Sequence, residues 1–592
     1  MPSIRITAFR GLQPALSPKL LDNGQAQIAV NTQLWDGKLR PFPRPTIEGT
    51  LQFSSINSDM CFDPRIGIVP MFAANAINPV YDNQFNHTGP AYSEYGNNPT
   101  YRVFYVRSTD ADAVLYVAEN DLAFFPISRS NVVPDGPSVA ITSVSAQNIS
   151  PRPFERVYAT TCVDVYGQEG LPTLSDKATV FEGDLVSLAI SGQSGVLNGS
   201  RIKYVRLYRT VTEFETGEKI DQRHDTSFLL VDEIAASSIN GTFTYIDNIQ
   251  TDTIPGDLLL SKEFHPFPSQ IGQAVGFGML ELGALAVATQ RGFIAVSERY
   301  QYHAWPQAQI LNLNGPIAAM SIDGDTIYVT MMRSGCAYRI LCRATEAGLV
   351  LAVTTLPDAP NMAKFDHASQ VVTSAGAMYP SEHGLHSLDA SGATMVTRKM
   401  INPDQWVEDW LPTTAEWCDG LYLGHRGLAQ TGAPMWIVDI EDKATGSYTF
   451  GNIVTLDFAP ANLGQRVAFK YADDRLRFVV GNQLWAWRGL TRSSKSSGDN
   501  LTYRWRSKTY VYPAPLNFAA AKVVADANTG NATFRLIADG VVKHTEILTG
   551  TKVFRLPHLY RGIEFEIELE GTLHIAEVHI STSMTELREQ SQ

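Results

Sequence analysis

Apolar and polar residues alternate with a period of two through nearly the whole chain, and sustained 3.6-residue patterns are scarce. Residues 101–106 (YRVFYV), 325–330 (DTIYVT) and 564–569 (EFEIEL) are typical. Such alternation puts successive side chains on opposite faces of a strand, so it is satisfied by sheets with one buried face. β-Branched and aromatic residues fill these runs, and Gly, Asn and Asp punctuate them. The expected fold class is all-β. With 592 residues, the chain is long enough for several cores.

Charge narrows the partners. Apolar residues make up 44% of the chain, which excludes a disordered one. Charged residues make up only 18%, against roughly 25% in a typical soluble protein, as expected of a surface partly covered by other subunits. A net charge of -13 argues against gripping nucleic acid through its phosphates, but it suits an acidic wall along which DNA slides. The first fifty residues run the other way: Arg5, Arg10, Lys19, Lys38, Arg40 and Arg44 outnumber Asp22, Asp36 and Glu48. Five scattered cysteines without a Cys-x-x-Cys pair suggest neither a disulfide framework nor zinc. Residues 1–5 (MPSIR) lack a signal-peptide pattern, and residues 275–289 are too short to span a bilayer, so a soluble protein made in a reducing compartment is expected.

Five regions are expected. Residues 1–50 read as a docking arm. Asp22 and Gln25 fit a capping box ahead of Ala26, Ile28, Ala29 and Val30, which predicts a short helix. A hairpin should turn at Asp36-Gly37 between Leu34-Trp35 and Lys38-Leu39, before Pro41, Pro43 and Pro45 extend the chain. Residues 51–137 hold the first propeller or platform strands. Residues 138–250 read as an inserted β-sandwich, with strands at 139–144, 156–165, 185–190, 204–211, 228–234 and 242–246. Residues 251–500 recur as short strand clusters every 30–55 residues or so, the sequence appearance of a degenerate β-propeller. Residues 501–592 read as a C-terminal β-sandwich.

Catalytic signatures are missing. Residues 191–195 (SGQSG) have the wrong spacing for a nucleophile elbow, and no phosphate-cradling loop occurs. His383 and His386 lack a third metal ligand, and Asp110/Asp112 and Asp323/Asp325 lack the further oxygens that calcium needs. Asp323-Gly324 reads as a hairpin turn. Residues 321–326 (SIDGDT) only faintly resemble the Asp-box of sialidases, and Asp473 and Asp474 face opposite sides of a strand. Trp406, Trp410, Trp417, Trp485 and Trp487 read as core rather than as a sugar platform. No enzyme, cofactor or metal is expected.

Within residues 138–250, the runs 163–172 (VDVYGQEGLP), 205–210 (VRLYRT) and 244–247 (TYID) resemble a fibronectin type III domain. Four further stretches resemble the tail nozzle proteins of short-tailed bacteriophages, the tail tubular protein B-like family. They are residues 9–31 (FRGLQPALSPKLLDNGQAQIAVN) with 34–41 (LWDGKLRP), 295–306 (AVSERYQYHAWP), 503–508 (YRWRSK) with 515–518 (PLNF), and 579–587 (HISTSMTEL). The resemblance implies a virion protein, a hexameric ring below a portal and adaptor ring, a central DNA ejection channel, propeller and platform domains, and no cofactor. The fibronectin-like insertion leaves fibre attachment, nozzle tip and adaptor-proximal ring open as tail positions. On this reading Arg5, Arg10, Lys19, Lys38, Arg40 and Arg44 dock the arm to the adaptor ring, and deleting residues 1–50 leaves the rest folded. Other readings are a glycan-binding or depolymerising tail protein and a siphophage tail-tip hub.

Overall fold

The computed structural model describes residues 2–50, 133–147, 153–165, 167–181, 183–192, 202–210, 228–250, 253–254, 258–259, 267–268, 271–345, 348–363, 369–374, 376–426, 435–442, 448–457, 469–472, 474–480, 483–488, 499–527 and 530–589, with six strands between 60 and 126. The fold is all-β, with only short helical turns beside the strands among the described residues. Contacts divide the chain into two compact units, one of Met1–Asn78, Asn314–Leu341 and Val353–Gln592, the other of Pro79–Leu313 with Cys342–Ala352.

In the first unit, a terminal sandwich is built from both ends of the chain. Alternation sets its faces: Tyr503, Trp505, Phe565, Ile567 and Leu569 point into the core, and Arg504, Arg506, Glu566 and Glu570 point outward. One sheet runs Ser3–Ile6, His574–Ser581, Ala520–Ala527, Lys552–Arg555. The facing sheet includes Ala26–Val30 between Tyr448–Leu456 and Tyr503–Ser507. Ile4, Ile6, Phe9 and Ala29 share a single core with Trp505, Phe534, Phe565 and Ile580. Burying each large side chain there contributes about 1.5–3 kcal/mol.

Residues 1–50 therefore do not form an arm, and Ala26–Val30 is a strand rather than a helix. The capping-box bond does form, with Asp22 N–H donating to Gln25 Oε1 at 2.7 Å, but it closes a turn. Gly24 sits there at φ 85°, where a Cβ would meet Ala8 O at 2.1 Å. A five-residue helix is too short to sustain itself, whereas β-branched Ile28 and Val30 gain a full ladder between two strands. The hairpin pairs one step further out than expected, Thr32↔Pro41 and Gln33↔Arg40. Leu39 instead exchanges both backbone bonds with Ile575, at 2.9 Å each. The proline run is held too: Trp487 Nε1–H donates to Pro43 O at 2.8 Å, and Phe42 is fully buried.

Four groups of antiparallel strands follow one another in sequence, the third of them belonging to the same sheet as Ala26–Val30. They are Ile317–Asp323 to Gly348–Pro357, Val371–Thr373 to Gly392–Met395, Thr414–Cys418 to Tyr448–Leu456, and Phe469–Ala472 to Gln483–Arg488. The fourth strand of the last sheet is Thr46–Thr50, paired with Gln483–Arg488. The leading strands of successive groups lie side by side. Cores are shared across the junctions, by Ala318, Tyr328, Ala377 and Tyr379 at one and by Met378, Leu385, Tyr422 and Trp436 at the next. A polar bond ties each junction, buried at the first two and partly buried at the third. Gln370 accepts from Thr330 Oγ1 (2.7 Å) and donates to Ser321 Oγ (2.8 Å), Tyr422 donates to Ser369 O (3.2 Å), and Tyr471 N–H donates to Glu416 (3.2 Å).

The second unit contains a sandwich made from one continuous stretch. Leu185–Ser191 lies between Ser138–Ser145 and Thr242–Asp247. The facing sheet runs Thr173–Leu174, Tyr158–Asp164, Ile202–Thr210, Phe228–Ala235. Val186, Leu188 and Ile190 alternate into a core with Tyr158, Cys162, Val205 and Leu207. The two sheets are also tied by charge: fully buried Asp247 accepts from Arg209 Nη1 at 2.5 Å and from Tyr158 Oη at 2.7 Å. A four-stranded sheet, Ala274–Met279 to Ile310–Asn312, follows this sandwich in sequence.

Candidate functional site

The six basic residues singled out in the first fifty do not make one free cationic surface. Lys38 and Arg40 leave the short hairpin side by side and converge on Asp526, at 2.6 and 3.0 Å, and Arg40 also reaches Asp36 at 2.7 Å. Hydrogen bonding from Lys38, then from Arg40, holds the Asp526 carboxyl below the usual range. Next to them, burial and the Arg40 charge push the His574 imidazole down. Lys19 pairs with Glu564, Arg5 lies 3.9 Å from Glu577, and Arg44 lies 3.0 Å from Asp499. Arg10 is exposed and makes no ion pair among the described residues, while its backbone oxygen accepts from Trp505 Nε1 at 3.0 Å. Five of the six thus bind their own chain.

A second ionic clasp has little local signal in the sequence. Glu48, on the strand that completes the last sheet, accepts from Arg475 Nη1 at 2.5 Å and Arg477 Nε at 2.9 Å. Burial raises the Glu48 carboxyl, but the two guanidiniums together outweigh it and leave it below its ordinary value. The only sequence signal is the spacing of Arg475 and Arg477, two apart and so on one strand face. Their acceptor lies more than four hundred residues away.

The stretch 295–306 also has a structural task. Tyr302, Ala304 and Trp305 are fully buried, while its polar residues reach the inserted sandwich. Glu169 N–H donates to Gln301 Oε1 at 2.6 Å, Gln301 Nε2 donates to Gly167 O at 3.2 Å, and His303 Nε2 lies 2.8 Å from Glu169 O. Glu169 in turn accepts from Thr161, Tyr208 and Arg206.

The other sequence candidates are scattered. His386 is buried and stacked on Tyr379 at 5.6 Å, and burial, then His383, pushes it down to about 4. His383 is exposed. No cluster of three or more His, Cys, Asp or Glu able to hold a metal occurs among the described residues. Asp323 and Thr326 pair across the turn at Gly324, as a hairpin requires. Asp110, Asp112 and Asp473 lie outside the described residues. Trp406 and Trp410 meet Trp436 edge-on at 5.9 and 6.0 Å within a core, Trp487 is buried, Trp485 stacks on Phe478, and Trp417 packs partly buried against the same core as Trp436.

No protein-family profile and no curated protein matches the chain. Among solved structures, the exo-β-1,3-galactanase of Phanerochaete chrysosporium with β-1,3-galactotriose is similar at 8% identity and a TM-score of 0.19, covering 81% of this chain and 93% of that one. Another structure of that enzyme gives 10% identity and 0.16, covering 89% and 100%. A protein described as a glycoside hydrolase gives 9% and 0.14, covering 82% and 95%. All three are enzymes of one broad class, so the expectation that the chain is not an enzyme is withdrawn. At these TM-scores the likeness assigns this chain neither a substrate nor a catalytic residue.

Proposed function

We propose that the chain is a structural protein of a short-tailed bacteriophage virion, forming a nozzle-like ring around the DNA ejection channel of the tail. The observation that carries this reading is the convergence of three of the four family-like stretches, the fourth, residues 295–306, lying in the second unit. Residues 9–31, 34–41, 503–508, 515–518 and 579–587 lie at opposite ends of the sequence yet meet in one sandwich. Phe9 packs edge-on against Trp505 at 4.9 Å, Ala29 pairs with Trp505, and Phe518 and Ile580 share their core. A resemblance that follows a folding unit, rather than scattered short words, supports a common architecture.

On this reading the successive four-stranded groups are blades of a degenerate β-propeller closed by Thr46–Thr50, residues 138–247 are a fibronectin type III-like insertion, and the chain ends form a platform sandwich. Copies assemble as a hexamer by head-to-tail contacts that close by rotation, stack against the adaptor ring, and present fibre-binding positions outside. Excess negative charge weakens phosphate contacts, so duplex passes without being held. Electron microscopy and light scattering of the purified protein test this. Closed rings with an axial opening are expected, and a monomer at every concentration overturns it.

A further inference from the structure

A sheet edge offers unpaired N–H and C=O groups, and natural chains guard such edges with charge, proline, shortness or bulges. Most edge strands described here obey. Ser3–Ile6 and Lys552–Arg555 are four residues long and carry Arg5 or Lys552 and Arg555. Of the eight-residue edges, Phe228–Ala235 carries Asp232 and Glu233, and Val541–Leu548 carries Lys543 and Glu546.

One long edge breaks the pattern throughout, and a second has a bulge but no charge, proline or shortness to guard it. Gly348–Pro357, outermost in its sheet, has ten residues, no charge, and a proline only at its end. Val350 and Val353 are 51% and 42% exposed, and Ala352, Thr354 and Thr355 are exposed as well. Ser138–Ser145, at the edge of the inserted sandwich, has eight residues and no charge. Its one register shift, between Ile141 and Ser143, leaves the Ser138–Ile141 half regular.

We propose that Gly348–Pro357 of one copy pairs with Ser138–Ser145 of the next, continuing a sheet across the boundary between copies. This rests on the ring reading above and names its contact. The two edges are different strands of one chain, so their pairing is head-to-tail, the kind of contact that propagates and closes into a ring. Neither edge carries a charge that would have to be desolvated, and each offers its outward backbone groups to an extended partner. No other pair of long edges among the described residues shares these properties.

Val353→Lys places an ammonium in the middle of the contact. At least a tenfold rise in the concentration needed for assembly is expected, with an unchanged far-ultraviolet spectrum and thermal midpoint showing that the fold is intact. Ala140→Cys and Val353→Cys chains, mixed and treated with a short bismaleimide, should give a covalent dimer beyond the wild-type background that neither gives alone. If the wild type assembles, Val353→Lys assembles equally well and no cross-link forms, the edge pairing is overturned and the ring reading is untouched. If the wild type stays monomeric, both fall.

Discussion

The inserted and terminal sandwiches use the same packing rule and opposite connectivity. Each described strand within residues 138–247 pairs inside the stretch. The terminal sandwich takes Ser3–Ile6 and Ala26–Val30 from one end of the chain and Tyr503–Ser507 and His574–Ser581 from the other. Alternation specifies which face of a strand is buried and says nothing about how far along the chain its neighbour lies. The strands of the first sandwich therefore find their partners nearby, with Gln301 and His303 bonding it to the rest of its unit, while the second joins distant segments and depends on all of them.

The strongest way to break this comparison is to remove residues 1–50. This deletion takes two strands from the terminal sandwich and the closing strand from the last sheet, exposing Trp505, Phe534 and Trp487. Loss of a soluble, cooperatively unfolding first unit is expected, in contrast to the folded remainder that the docking-arm reading requires. A stretch of 133–250 made alone should instead give a single cooperative urea transition. A soluble truncated chain with native hydrogen-exchange protection at Tyr503–Ser507 would sink the contrast.

Single substitutions then sharpen it. Trp505→Ala should cost roughly 3–5 kcal/mol, as for other large aromatic truncations in cores, and should lower the transition of the terminal sandwich alone. Asp247→Ala leaves Arg209 buried without its carboxylate and should cost a similar 3–5 kcal/mol or so, confined to the inserted sandwich. Urea titrations followed by exchange at each sandwich separate the two.

Acid should act on the first unit through three carboxyls held low: Asp526 and Glu568 in the terminal sandwich, by Lys38 and Arg40 and by Arg506, Arg504 and Arg535 against burial, and Glu48 in the last sheet, by Arg477 and Arg475 against its own burial. A depressed folded value means that this stabilisation is present above the unfolded carboxyl range, about pH 4, and is lost as pH falls through the lower folded values. Unfolding midpoints measured from pH 6 to pH 2 should decline in that window, and Asp526→Asn should flatten part of the decline. The smallest effect is expected for Arg44→Ala. Its pair with Asp499 is mostly solvent-exposed, so less than about 1 kcal/mol should be lost.

Legibility followed the same divide. In the inserted sandwich, strands expected at 139–144, 185–190, 228–234 and 242–246 fall on Ser138–Ser145, Leu185–Ser191, Phe228–Ala235 and Thr242–Asp247. Partners there are near, so local signals and tertiary structure agree. In residues 1–50, the Asp22 and Gln25 signature was real as a hydrogen bond and misleading as a helix start, because the competing ladder comes from Arg504–Ser507. The basic residues were legible as a charge excess. Their neutralisation by Asp526, Glu564 and Glu577 was not, since nothing local in the sequence marks a pair of opposite charges more than four hundred residues apart.

The closing strand has a consequence for biosynthesis. Thr46–Thr50 leaves the ribosome more than four hundred residues before Gln483–Arg488, and Ser3–Ile6 waits longer still for His574–Ser581. Domains generally fold as they emerge, beginning upstream. Here Thr46–Thr50 and Ser3–Ile6 must stay unpaired, or be shielded by a chaperone, until Gln483–Arg488 and His574–Ser581 have been made. A nascent chain cut short before His574–Ser581 would keep Ser3–Ile6 bare, so the terminal sandwich is complete only once that strand has been made.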